Sequence, residues 1–156
     1  MVKVLFICLG NICRSPTGEG VFGALVEREG LNNSISVDSA GTAACHAGSS
    51  PDSRSQAAAR RRGIDMSHQC ARQVHGDDFV KFDYLLAMDG RNYADLMRIC
   101  PHGNEHKIHL MLDFAKDNPP GDVPDPYYGD DGFEVVLDLI EDASRGLLAH
   151  IRDRHL

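Results

Sequence analysis

Cys8-Leu9-Gly10-Asn11-Ile12-Cys13-Arg14-Ser15 directly follows the apolar run Val4-Leu5-Phe6-Ile7. A thiol heads a short glycine-containing loop, an arginine stands six residues further on, and a helical pattern then begins. A helix start carries partial positive charge and unpaired N–H groups. A thiol placed there tends to ionise, and a tetrahedral oxyanion placed there binds. Arg14 supplies a planar fork that matches two phosphate oxygens and stays charged at any working pH. Gly10 lets the backbone approach an anion closely, and Asn11 tolerates a left-handed conformation. The amides of Leu9, Gly10, Asn11, Ile12, Cys13 and Arg14 can then face one concavity. Ser15 can donate a hydrogen bond to the sulfur. The loop thus offers a nucleophile together with a cradle for the phosphoryl group it would attack, and that attack would form a phosphocysteine. A cysteine at a strand end is, by itself, a small buried hydrophobe. The neighbours are what make Cys8 a candidate for chemistry.

A leaving alkoxide or phenoxide needs a proton, so a carboxylic acid has to reach over the loop. Asp125-Pro126-Tyr127-Tyr128-Gly129 is the candidate. Asp125 lies between two prolines, which stiffen the segment and aim the side chain. Tyr127 and Tyr128 would wall a pocket for a ring-bearing substrate. Taken alone, the same five residues describe an ordinary Asp-Pro turn closed by glycine.

The elements that must position these groups follow from periodicity and punctuation. Residues 3–8 read as a strand buried on both faces. Residues 15–30 read as a helix, with Pro16 near its start and Gly30 at its end. A second strand is predicted over 34–39, a Gly/Ala/Ser-rich loop over 40–51, and a helix over 51–62 ending at Gly63. Residues 64–75 carry no clear pattern. A helical turn at 77–82, a strand at 84–88, a helix at 89–99 and a strand at 107–112 come next. Residues 114–129 hold four prolines and read as a long loop, and a last helix spans 131–154. Alternating strands and helices imply an α/β doubly wound, four-stranded parallel sheet with helices on both faces, a Rossmann-like fold. Ligands of such sheets bind at the carboxyl ends of the strands, where the Cys8 loop leaves the first one. Residues 1–156 are expected to form a single domain, with no repeat or linker.

Sixteen basic against 23 acidic residues leave a net charge of −7. No basic stripe is present, so a nucleic-acid partner is not expected. Arg60-Arg61-Arg62 reads as favourable charge at a helix C-terminus. No apolar run approaches the ~20 residues of a membrane span. The start, Met1-Val2-Lys3-Val4, enters a strand without a cleavable signal pattern, so the expected location is cytoplasmic. Five cysteines, an odd number, are expected as thiols there. Cys100, His102, His106 and His109 invite a metal reading, but Pro101 and Gly103 break the helix that their spacing would need. Cys70 reads as structural. Asp130, Asp131 and Glu134 read as a charged helix start.

Cys8 to Pro16 together with Asp125 to Gly129 resembles the low-molecular-weight protein tyrosine phosphatases. Ser39-Ala40-Gly41-Thr42, His68 with Ala71-Arg72-Gln73, and Phe82-Asp83-Tyr84 with Ala87-Met88-Asp89 look like further segments of that family. The resemblance extends from residue 3 to about 150. It implies that Cys8 is the nucleophile, that Arg14 and the loop amides hold the phosphoryl group, and that Asp125 protonates the tyrosyl oxygen and then activates water. It implies that Asn11, Ser15, Ser39 and His68 keep the loop in shape, and that Tyr127 and Tyr128 line the slot for the substrate ring. It implies no metal and no cofactor. Cys13 would form a reversible disulfide with Cys8 under oxidant, against the plainer reading of a packed thiol. The implied partner is a phosphotyrosine-containing protein, a tyrosine kinase among the candidates, and the expected state is a monomer or weak dimer. The sequence departs from the family where an aromatic usually stands on the pocket rim. Cys45-His46 occupies that place, which removes one wall of the slot. Two other readings share the loop. Arsenate reductase needs shuttle cysteines near the third strand, and residues 82–89 contain none. A non-catalytic phosphotyrosine-binding or redox-sensing protein would not need Cys8, Arg14 and Asp125 together.

Overall fold

The computed structural model describes residues 1–129 and 131–156. Strand β1 (Val2–Cys8) pairs in parallel with β2 (Ile35–Gly41) on one side and with β3 (Tyr84–Ala87) on the other, and β3 pairs with β4 (Ile108–Leu110). The order is β2-β1-β3-β4, so the chain reverses its winding direction at β1. The end of β1 therefore opens into the crevice where doubly wound sheets bind ligands.

Side chains of a strand alternate between its faces, and both faces of β1 are covered. Val4, Phe6 and Cys8 join a core made with helix α1 (Arg14–Arg28) and the last helix, α5 (Phe133–His155). Leu5 and Ile7 join a second core with Phe79 of α3 (Asp78–Lys81), Phe82, and Leu96 of α4 (Gly90–Ile99). Helix α2 (Ser53–Arg60) is capped by Asp52, whose carboxylate accepts from the Arg54 amide at 2.8 Å. The last helix buries one apolar face: Phe133, Val136, Leu137, Ile140, Leu147, Leu148 and Ile151. A Cβ on Gly146 would run into the Phe114 carbonyl oxygen, so only glycine permits this approach of helix to backbone.

Most boundaries move by one or two residues from the sequence expectation, and three elements show why. Strand β2 runs on to Gly41, because Cys8 pairs with Gly41 and the Gly41 amide reaches the Arg72 carbonyl. The strand expected at 107–112 shrinks to three residues; Lys107 ends a 3₁₀ turn (Glu105–Lys107) and Met111 begins another (Met111–Phe114). Met111 and Leu112 are buried all the same, so their apolar pattern recorded burial rather than pairing. Helix α5 starts at Phe133 and not at 131, because Gly132 has φ 96°. Asp131 thus precedes the helix, and Asp130 of the expected acidic cluster lies outside the described residues.

The long proline-containing segment is tied down. Buried Asp142 accepts from the amides of Lys116 and Asp117 and from Asn118 Nδ2. The Val123 amide donates to the Met88 carbonyl at 2.8 Å, and Val123 is fully buried. Arg54 donates to the carbonyls of Tyr127 and Gly129, and its guanidinium lies 4.8 Å from the Phe133 ring centroid.

Candidate active site

Cys8 closes β1 and Arg14 opens α1, so five residues make the turn between strand and helix. Asn11 is the one non-glycine residue with positive φ among those described, at 57°. This is the left-handed geometry that its short amide tolerates. The Asn11 amide then ties the loop together. Its Nδ2 donates to Ser15 Oγ at 2.8 Å and to Ser39 Oγ at 3.0 Å, and its Oδ1 accepts from the Arg72 amide at 3.0 Å. Ser15 Oγ lies 3.0 Å from Cys8 Sγ, within hydrogen-bond distance, and donates to the Ala40 carbonyl at 3.3 Å. Behind the loop, a Cβ on Gly41 would lie 2.7 Å from the Leu9 carbonyl oxygen. The loop rests on the end of β2.

Ser39 Oγ in turn donates to Glu19 Oε1 at 2.7 Å. Burial raises the pKa of Glu19, opposed by that hydrogen bond and by the charges of His68 and Arg72. His68, expected beside Asn11 and Ser39, is exposed, and no hydrogen bond joins it to either among the described residues. Glu19 holds that place, and His68 acts on it through space.

Arg14 is almost wholly buried. Its Nη1 donates to Asp89 Oδ2 at 2.6 Å and to the Val123 carbonyl at 3.0 Å, while Nη2 lies 3.7 Å from Asp125 Oδ2. Burial alone would lower the Arg14 pKa; the Asp89 hydrogen bond and the charges of Cys8, Asp89 and Asp125 reverse that and raise it. Asp89 also caps α4, its Oδ1 accepting from the Asn92 amide at 2.7 Å. One carboxylate thus fixes both the guanidinium and a helix start. The sequence reading missed Asp89, Glu19 and Arg54.

Asp125 is partly exposed, and its Oδ1 accepts from the Tyr127 amide at 3.1 Å. Cys8, Leu9, Gly10, Cys13, Arg14 and Asp125 line one cavity of about 180 Å³, whose mouth is formed by Cys45, His46, Tyr127 and Tyr128. Asn11 turns beneath the loop, and Ile12 packs against the core. Tyr127 and Tyr128 meet edge to face, with centroids 5.0 Å apart, and Tyr128 is 84% exposed. The wall expected to be missing at Cys45-His46 is partly rebuilt by the imidazole, 6.0 Å from the Tyr127 ring. A Cβ on Gly10 would lie 2.8 Å from His46 Cδ2. Burial pushes the Cys13 thiol up to about 12. No three metal-ligating groups converge among the described residues, and His109 packs instead between the rings of Tyr84 and Phe114.

The arrangement presents a nearly buried sulfur, a fixed guanidinium and a more exposed carboxyl around one cavity. That set suits transfer of a phosphoryl group to sulfur and on to water. A sequence profile described as low molecular weight phosphotyrosine protein phosphatase matches residues 3–155. The Bacillus subtilis low molecular weight protein-tyrosine-phosphatase YfkJ is 43% identical over 152 residues, covering 97% of each chain. The human low molecular weight phosphotyrosine protein phosphatase is 45% identical over 137 residues, covering 86% of this chain and 85% of its own. A crystal structure of a protein tyrosine phosphatase from Entamoeba histolytica with Hepes in the active site superposes with a TM-score of 0.96 at 40% identity, covering 100% of both chains.

Proposed function

The chain belongs to the low molecular weight phosphotyrosine protein phosphatases and is a protein tyrosine phosphatase, and from that premise we propose that Cys8, Arg14 and Asp125 carry the reaction through a phosphocysteine. The observation that supports this reading is the convergence of those three side chains on one small cavity. Cys8 Sγ attacks phosphorus as the bond to the tyrosyl oxygen breaks, and Asp125 delivers its proton to that oxygen. The guanidinium of Arg14 and the amides of residues 9–14 hold the three non-bridging oxygens as charge builds on them. Asp125, now a carboxylate, takes a proton from water as the water oxygen attacks phosphorus. The S–P bond breaks, phosphate leaves and the sulfur is free again. Asn11, Ser15 and Ser39 hold the loop that aims the amides, with Glu19 behind them.

Tyr127 and Tyr128 form the slot for the substrate ring. Residues 1–156 act as one catalytic unit. No helix among the described residues is long and apolar enough to cross a membrane, and we place the reaction in the cytoplasm, where thiols stay reduced. The substrates are phosphoproteins, tyrosine kinases among them.

The test is turnover of p-nitrophenyl phosphate without added metal. Cys8→Ser is expected to abolish turnover yet still bind vanadate. Asp125→Ala is expected to slow esters of high leaving-group pKa far more than activated ones. Full activity of Cys8→Ser would exclude the covalent route. A Cys8→Ser, Asp125→Ala protein used as a trap in lysate identifies the phosphoprotein it holds; absence of any phosphotyrosine protein in the trap counts against this substrate class.

A further inference from the structure

Away from the catalytic loop, Arg28 at the end of α1, Arg62 beyond α2 and Arg145 on α5 line one cleft of about 250 Å³. Along α1, Arg28 lies roughly 20 Å from Arg14 at 1.5 Å per residue. Three guanidinium groups in one cleft are notable on a chain of net charge −7. Their engagement differs. Arg62 is held by Glu134, Asp138 and Glu141. Arg145 comes no nearer than 3.8 Å to Asp117 and Asp142, too far for a hydrogen bond. Arg28 makes no ion pair among the described residues. A second, independent observation lies in the same lining. Ser144 is fully buried, and its Oγ has no hydrogen-bond partner among the described residues. A buried hydroxyl without a partner costs stability and calls for an explanation.

We propose that this cleft is a second phosphoryl-binding site, separate from the catalytic loop, in which Arg28 and Arg145 clamp the oxyanion and the Ser144 hydroxyl hydrogen-bonds to it. Two guanidinium forks and a hydroxyl offer more donors than the two oxygens of a carboxylate accept well, and they match the three oxygens of a phosphoryl group. Glu141, one turn before Arg145 on α5, belongs to the same lining, and Arg62 takes up its charge at 3.2 Å. The cleft shares Leu25, Arg28 and Arg145 with a wider groove that adds Asp153 and the Glu29–Arg152 pair, so the phosphoryl group can belong to free phosphate or to a phosphorylated side chain.

The experiment is a site-resolved NMR titration of the full chain with inorganic phosphate, with sodium chloride at matched ionic strength as control. Signals of Arg28, Ser144 and Arg145 are expected to shift and saturate together, on a curve of their own beside that of residues 9–14. Arg28→Gln with Arg145→Gln is expected to weaken the cleft response about tenfold, the ordinary scale for losing charged hydrogen bonds, and to leave the loop response in place. Ser144→Ala is expected to weaken it about threefold with thermal stability kept or improved, which a purely structural hydroxyl would not do to the titration. A phosphoserine peptide run as a second arm separates the sources: tighter binding than phosphate identifies a phosphorylated side chain, weaker binding identifies the free ion. Cleft signals that move no further with phosphate than with chloride overturn the proposal, and so does a titration indifferent to both arginine substitutions. Either result leaves the catalytic reading untouched, because the loop signals report on that separately.

Discussion

Asp89 gives the sharpest test of how fold and chemistry are joined, because its two oxygens do different work. Oδ2 holds Arg14 at 2.6 Å, with side chains only 4% and 19% exposed for arginine and aspartate, and Oδ1 caps α4 at 2.7 Å. Asp89→Ala leaves a buried guanidinium with only the Val123 carbonyl and the more distant Asp125. Breaking a buried pair costs about 3–5 kcal/mol, and losing a cap about 1 kcal/mol. Partial rescue by those two neighbours brings the expected loss to about 4 kcal/mol, read by urea denaturation. Asp89→Asn keeps an oxygen for the cap and should lose about 1 kcal/mol less. Activity should fall as well. An unheld Arg14 is drawn toward Asp125, into the space the phosphoryl group needs, and takes the acid into an ion pair. A displacement of about 1 Å in a positioning group costs on the order of 100-fold. Steady-state kinetics with p-nitrophenyl phosphate should show kcat/KM reduced on that scale in both variants. An Asp89→Ala protein within about 1 kcal/mol of the parent in stability and within about threefold in kcat/KM would refute the reasoning.

Gly146→Ala forces a methyl group into the Phe114 carbonyl oxygen; the backbones must part, and calorimetry should show a loss above the usual 1–3 kcal/mol of overpacking, roughly 3 kcal/mol or more. Burial raises the Glu19 pKa in the folded state, so its carboxylate costs stability once pH exceeds the unfolded value near about 4.3. Glu19→Gln should therefore be more stable than the parent at pH 7.5, with the advantage fading as pH falls toward 4; an advantage that grows in acid contradicts the assigned sign. The Cys13 thiol, pushed up to about 12, should close a disulfide on peroxide-oxidised Cys8 slowly at pH 7, and about tenfold faster for each unit of pH up to 9. Dithiol should restore the oxidised parent but not oxidised Cys13→Ala, and equal recovery of both would remove the protective role.

The parts of the site that the sequence made legible are local in the chain. Cys8, the left-handed Asn11, Arg14 and Ser15 fall within eight consecutive residues, where strand, loop and helix signals confine the geometry. Asp125 declared itself through its flanking prolines. Asp89 did not, because it lies 75 residues from Arg14 and only the parallel pairing of β1 with β3 brings their ends together. A signal was present: Asp89 follows the end of β3, where doubly wound sheets gather their functional groups. Glu19 was hidden for a different reason. A glutamate on the second turn of a helix resembles any solvated charge until Ser39 is known to face it. His46 was read as a lost wall because the residue type changed, while its ring direction was set by loop geometry that no period reveals. Strand lengths erred where burial and pairing part company, as at Met111 and Leu112.

The acid-bearing segment, with Asp142 clasping residues 116–118, Val123 bonded to Met88 and Arg54 gripping Tyr127 and Gly129, is moored at three points. Its ordering entropy is settled when the chain folds and is not charged again at each catalytic cycle. Heat or denaturant that loosens any mooring should therefore erode turnover before global unfolding begins, so that this enzyme loses speed while it still looks native by circular dichroism.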